Sequence, residues 1–118
     1  MKPLFLIGLL FISPMSLAGD ALDAAAVKKL LSGNTVEALA ANGNTFQVYF
    51  APDGKLVRKE GDKIVEGTWH VEDDGRQCVE GTPGGCAKIV KNEDGTHDRI
   101  GKGGAKARWL SVNPGKGF

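Results

Sequence analysis

The chain has 118 residues, with 15 Lys+Arg against 14 Asp+Glu and 17 glycines. The even charge balance excludes the net basic field that non-specific nucleic-acid or membrane-surface binding needs, and the length allows one domain with one modest core. Glycine far above its usual share of about 7% predicts many tight turns in a non-repetitive chain.

Residues 1–18 read as an export signal. Lys2 supplies a positive start, and residues 4–12 form an apolar run broken only by Gly8. Ser13, Pro14 and Met15 break that run, and Ser16 and Ala18 put small residues at the −3 and −1 positions of a signal-peptidase site. The run is too short for a permanent membrane span. No cysteine follows the cleavage site, so no lipid anchor is expected. The predicted mature chain is residues 19–118, a single β-rich domain. Loss of Lys2 brings the basic count to 14, equal to the acidic count. The expected location is the periplasm or the medium of a bacterium.

One helix is predicted at the mature N-terminus. Asp20 or Asp23 can cap it, residues 24–31 are mostly good helix formers, and Val27, Leu30 and Leu31 form one apolar stripe. Gly33 and Asn34 tolerate the left-handed conformation that ends a helix. A second short turn is expected over residues 36–41, ahead of Asn42-Gly43-Asn44.

From Thr45 the period becomes two. Phe46, Val48 and Phe50 alternate with Gln47 and Tyr49, a half-buried strand. Pro52-Asp53-Gly54 turns the chain into residues 55–60, polar and expected at a sheet edge. After Gly61-Asp62 comes a strand over 63–71. Ile64, Glu66, Thr68 and His70 share one face of it, and Val65, Gly67, Trp69 and Val71 the more apolar other. Further strands are expected over 76–80, 86–91, 96–100 and 105–112, with Asn113-Pro114-Gly115 ending the last. Three turns repeat one pattern, with aspartates at 53, 74 and 94 each followed by glycine. The spacing suits one out-and-back strand pair, so the repeat reports a meander. Asp-Gly predicts type I′ hairpin turns, with positive φ at both central residues. Calcium binding fails on ligand count in every such loop.

Cys78 and Cys86 bracket a segment symmetric about Thr82. A hairpin turning over residues 81–85 places the two cysteines opposite each other, and an even cysteine count in an exported domain reads as a disulfide. Such a bridge is expected to stabilise by roughly 2–3 kcal/mol. The spacing is neither Cys-x-x-Cys nor a zinc knuckle. The fold class is therefore mainly β: about six to eight antiparallel strands in a meander curling toward a small barrel, with one N-terminal helix.

Catalytic chemistry finds little purchase. His70 and His97 are the only histidines, Ser32 and Ser111 the only serines after residue 18, and neither serine sits in a Gly-x-Ser-x-Gly elbow. A cluster of both cysteines with the histidines would need reduced thiols. No enzyme activity, cofactor or metal is expected. Residues 101–108, with Lys102, Lys106 and Arg108, suggest an anion cradle but lack the helix and Gly-Lys-Ser/Thr ending of a phosphate loop. They read as a cationic hairpin loop able to touch an acidic partner. Trp69, Tyr49, Phe46 and Phe50 are expected in the core, with some lining a ligand cavity if the sheet closes. Tyr49, Trp69, His70, Lys102, Lys106 and Arg108 are the candidate binding residues.

Gly33-Asn34-Thr35, Tyr49-Phe50, Pro52-Asp53-Gly54, Gly67-Thr68-Trp69, the two spaced cysteines and Asn113-Pro114-Gly115 follow in an order that resembles a family of uncharacterised small exported bacterial proteins, a domain of unknown function. The resemblance spans nearly the whole mature chain. It implies a compartment and a fold, and it brings no activity and no catalytic residue. Gly-x-Trp also occurs in lipocalin-like and avidin-like barrels and in small secreted inhibitors of bacterial metalloproteases, but here the tryptophan lies mid-chain, unlike a lipocalin's. The function expected first is a non-catalytic periplasmic or secreted binding module, monomeric, for a protein or envelope component. An inhibitor acting through residues 19–26, a small-ligand barrel and, last, an enzyme are the alternatives.

Overall fold

Each hairpin at one end of this protein is turned by the same five-residue device. At residues 51–55, 72–76 and 92–96 an aspartate side chain accepts the backbone N–H two residues on, at 3.0, 3.1 and 2.9 Å. The glycine after each aspartate has φ of 91–94° and closes the turn onto the carbonyl three residues back. Asn42 and Gly43 build a fourth copy at residues 40–44. No non-glycine residue among those described has positive φ. These are therefore three-residue loops with a left-handed glycine bulge, not the expected type I′ turns.

The structure is a computed structural model that describes residues 20–118; the expected signal at 1–18 lies outside them. A two-residue strand β1 (Asp20–Ala21) leads into helix α1 (Ala24–Leu31). Eight strands follow: β2 (Asn34–Leu39), β3 (Thr45–Phe50), β4 (Lys55–Glu60), β5 (Lys63–Val71), β6 (Gln77–Glu80), β7 (Cys86–Lys91), β8 (His97–Gly101) and β9 (Lys106–Pro114). Each pairs antiparallel with its sequence neighbours, and β9 pairs back onto β2. Among the described residues the sheet is thus a closed up-and-down barrel with one α-helix; the mainly β class, the meander and the helix are as the sequence predicts, and closure completes the expected curl.

Two expectations are corrected. Residues 36–41 are not a short turn: residues 34–39 are β2. Alanine, leucine and glutamate favour helix there, but β3 on one side and β9 on the other supply full backbone partners. Residues 55–60 are not an edge, since β4 lies between β3 and β5. Its polar residues have another cause: Arg58 follows Leu56 by two and so points into the barrel. Closure also needs a bulge. Glu37 faces Ser111 and Ala38 faces Trp109, so Leu110 is left without a partner. The bulge lets both Trp109 and Val112 point inward.

Helix α1 lies across one barrel end. Leu22 before it donates to Ile89 of β7, and Gly33 after it donates to Phe50 of β3. Asp23 caps it by accepting from Ala26 N at 2.9 Å. Val27 and Leu31 are fully buried against Phe50, Leu56, Trp69, Ile89 and Trp109. The disulfide Cys78–Cys86 joins β6 to β7 at directly opposed positions, as the symmetric segment predicts. It reinforces the narrowest seam, where these strands share only two residue pairs. Beyond that, β1 takes over as partner of β7, pairing Asp20 with Lys91 and Ala21 with Val90.

Replacing Leu31 by alanine removes the helix's main anchor. The expected loss is about 2–5 kcal/mol, read from urea unfolding. Ile64→Ala, on a side chain 58% exposed, is expected to change stability by less than about 0.5 kcal/mol.

Candidate functional site

Opposite α1 the barrel is open. The loops there are residues 40–44, 61–62, 81–85 and 101–105, and all but the second line a cavity of about 1130 Å³. Its floor is Phe50, Leu56 and Trp109, and its walls include Phe46, Val48 and Val79. The size comes from small residues near the mouth: Ala87 faces Gly101 across β7 and β8, and Ala107 faces Arg99 across β8 and β9. The cavity also reaches the side seam between β1 and β6, at Leu22 and Arg76.

Two arginines and one glutamine project into this apolar space. Arg58 stacks over the Phe46 ring, 3.7 Å from its centroid, and its Nη2 pairs with Glu60 Oε1 at 2.9 Å. Arg99 donates from Nε to Gln77 Oε1 at 2.8 Å, and from Nη2 to the carbonyls of Gln77 and Gly85 at 3.1 and 2.7 Å. Its Nη1 reaches the Gly84 carbonyl at 3.1 Å. All these acceptors are neutral, and no ion pair among the described residues includes Arg99. Burial, and secondarily the charge of Arg58, lowers its pKa to about 10, so it stays cationic at neutral pH. Gln77 is fully buried, and its Nε2 has no hydrogen-bond partner among the described residues.

The candidate binding residues do not form one site. Lys102 and Lys106 stand at the cavity rim. Lys102 opens a single 3-10 turn over Lys102–Gly104, and Lys106 Nζ lies 3.8 Å from Asp98. Arg108 is on the outer wall, bound to the same Asp98 at 3.1 Å. Tyr49 points outward from β3, opposite Thr35 and Val57. Trp69 is packed in the helix-capped half, edge-on to Phe50 at 5.4 Å, with its indole N–H on Ala51 O. His70 is exposed and 2.6 Å from Glu72. Those two side chains lie close to Cys78 Sγ, but the disulfide occupies that sulfur, leaving too few donors for a metal.

Sequence reasoning passes over Arg58, Gln77 and Arg99. Strand parity carries the signal: Arg58 is two residues from Leu56, and Gln77 two from Val79, each pair on one face. Charged residues at inward positions of a closed barrel look like exposed ones until closure is known.

His97 packs inside the capped half, 6.5 Å from the Trp109 ring and opposite Lys91. Burial first, and the Lys91 charge second, lowers its pKa below the ordinary 6.5. Comparison with known protein families and with curated proteins returns no match for this chain.

The folded state therefore resists protonating His97 more than the unfolded chain does. Stability is expected to fall as pH drops from about 7 to about 5, because the unfolded state gains its proton first. In His97→Gln that part of the pH dependence disappears, and paired urea titrations at the two pH values measure it.

Proposed function

We propose that this protein is a non-catalytic carrier that takes a small apolar molecule into the open half of its barrel. The cavity carries this reading: at about 1130 Å³ it matches or exceeds the space that ligand sites of drug-sized molecules occupy, about 300–1,000 Å³. Its walls are mainly aliphatic and aromatic, with a few placed polar groups, the usual make-up of such sites. The carrier works outside the cytoplasm, in the periplasm or the medium. The disulfide and the leader-like residues 1–18 support that location. No helix among the described residues is long and apolar enough to cross a membrane.

The cavity moves the small-ligand reading ahead of the protein-partner one. An inhibitor version would insert residues 19–26 into a protease cleft. Those from Asp20 on are held by β7 and by the first turn of α1.

A neutral environment-sensitive fluorophore such as N-phenyl-1-naphthylamine is expected to bind one per chain, with a blue shift and rise in emission. Ala107→Phe fills the cavity cross-section beside Arg99 and is expected to weaken this binding at least tenfold while circular dichroism stays unchanged. Binding that ignores Ala107→Phe, or no binding at all, would refute the carrier reading.

A further inference from the structure

The charges around the cavity are lopsided in a way the whole chain is not. Arg58, Arg76, Lys88, Arg99, Lys102 and Lys106 line it, against one carboxylate, Asp74. Asp74 already pairs with Arg76 at 2.9 Å, at the side seam. Two more of these bases are paired with acids outside the lining, Arg58 with Glu60 and Lys106 with Asp98, so Lys88, Arg99 and Lys102 are the ones without an ion pair among the described residues.

The unmet polar capacity lies on one hydrogen-bonded pair, Arg99 and Gln77. A guanidinium has five N–H donors in a fixed fork. Arg99 uses four, on Gln77 Oε1, Gln77 O, Gly85 O and Gly84 O, leaving one on Nη1. Accepting from Arg99 fixes which way the Gln77 amide points, so Nε2 with its two N–H groups is the end left over. Three donors and one full positive charge are thus unmatched among the described residues, where desolvated donors are costly. An ionised carboxylate offers two oxygens with about four acceptor positions. It would satisfy these donors and neutralise the charge together. A neutral ligand or a water molecule could do only the first.

We propose that the ligand is a fatty acid, with its carboxylate held by Arg99 and by Nε2 of Gln77 and its acyl chain against Phe46, Val48 and Phe50. This rests on the carrier reading above and adds to it the chemistry of the headgroup. Lys102 and Lys106 at the rim favour entry of an anion over a cation.

Competition against the neutral fluorophore tests it, with dodecanoate, dodecan-1-ol and dodecyltrimethylammonium as competitors at pH 8. The chains are matched and only the headgroup differs. In the natural protein dodecanoate is expected to bind about 10- to 100-fold tighter than the alcohol, the range of a charge-assisted contact, and the ammonium weakest of the three. Gln77→Glu is nearly isosteric and places a carboxylate on Arg99 from within. It should abolish the preference, bringing dodecanoate to parity with the alcohol or below. Arg99→Met, which keeps the apolar stem, should do the same should Gln77→Glu not fold. Equal affinity for acid and alcohol in the natural protein, or a preference for the acid that survives both substitutions, would overturn the headgroup assignment and leave the carrier reading standing. Failure of the fluorophore and every competitor to bind would overturn the carrier reading, and the assignment with it.

Discussion

Closure of the sheet between β2 and β9 is the constraint on which the rest depends. Left open, this meander would expose the N–H and C=O groups of two long edges and flatten its interior onto solvent. The pairing from Asn34↔Pro114 to Leu39↔Arg108 removes both edges at once. The bulge at Leu110 bends β9 enough to make the join while keeping Trp109 and Val112 inside. The C-terminal tail reinforces it from outside: Thr35 Oγ1 donates to Gly115 O at 2.6 Å and accepts from Gly117 N at 2.9 Å. An inside exists, and so does a cavity, because of this one pairing.

The barrel then divides its length between two tasks. The half under α1 is filled by Val27, Leu31, Trp69, Ile89 and Trp109, with Leu31 and Ile89 among the largest side chains wholly withdrawn from water. The other half has alanine and glycine at facing positions and, among the described residues, no α-helix across its mouth. Close packing makes each methylene in the filled half matter. The empty half gives up that stabilisation. The disulfide sits where the sheet is thinnest, between β6 and β7, and holds the wall of the hollow half without occupying its interior.

Much of this was legible in the sequence, for local reasons. Asp23 and the Val27–Leu31 stripe specify α1, the alternation at Phe46, Val48 and Phe50 specifies β3, and the symmetric segment between Cys78 and Cys86 specifies a hairpin with opposed cysteines. Each signal depends on neighbours within a few residues. What was not legible depends on distant partners. Residues 34–39 carry helix-forming residues and become a strand between β3 and β9, the latter more than 60 residues on and in need of a partner to close the sheet. Lys55, Arg58 and Lys59 look like an edge because polarity usually means water, whereas here alternate positions of one strand face solvent and a mainly apolar lumen into which Arg58 projects. Arg99 stands beside Asp98 in a stretch with no apolar alternation to say which of the two is inside.

That last pair shows what separates architecture from function in this chain. Asp98 and Arg99 are consecutive, so they point to opposite faces of β8. Asp98 is on the outer wall with two basic partners, while Arg99 is inside with no acidic partner among the described residues. An aspartate on the inner face would have neutralised Arg99, and an apolar residue in its place would have avoided the cost of withdrawing a charge from water. The hydrogen bonds of Arg99 to Gln77, Gly84 and Gly85 tie β8 to the 81–85 loop and hold the guanidinium in place without cancelling its charge. A cation fixed in position, partly withdrawn from water and without a counter-ion among the described residues is organised in advance for an anion that comes from outside the chain.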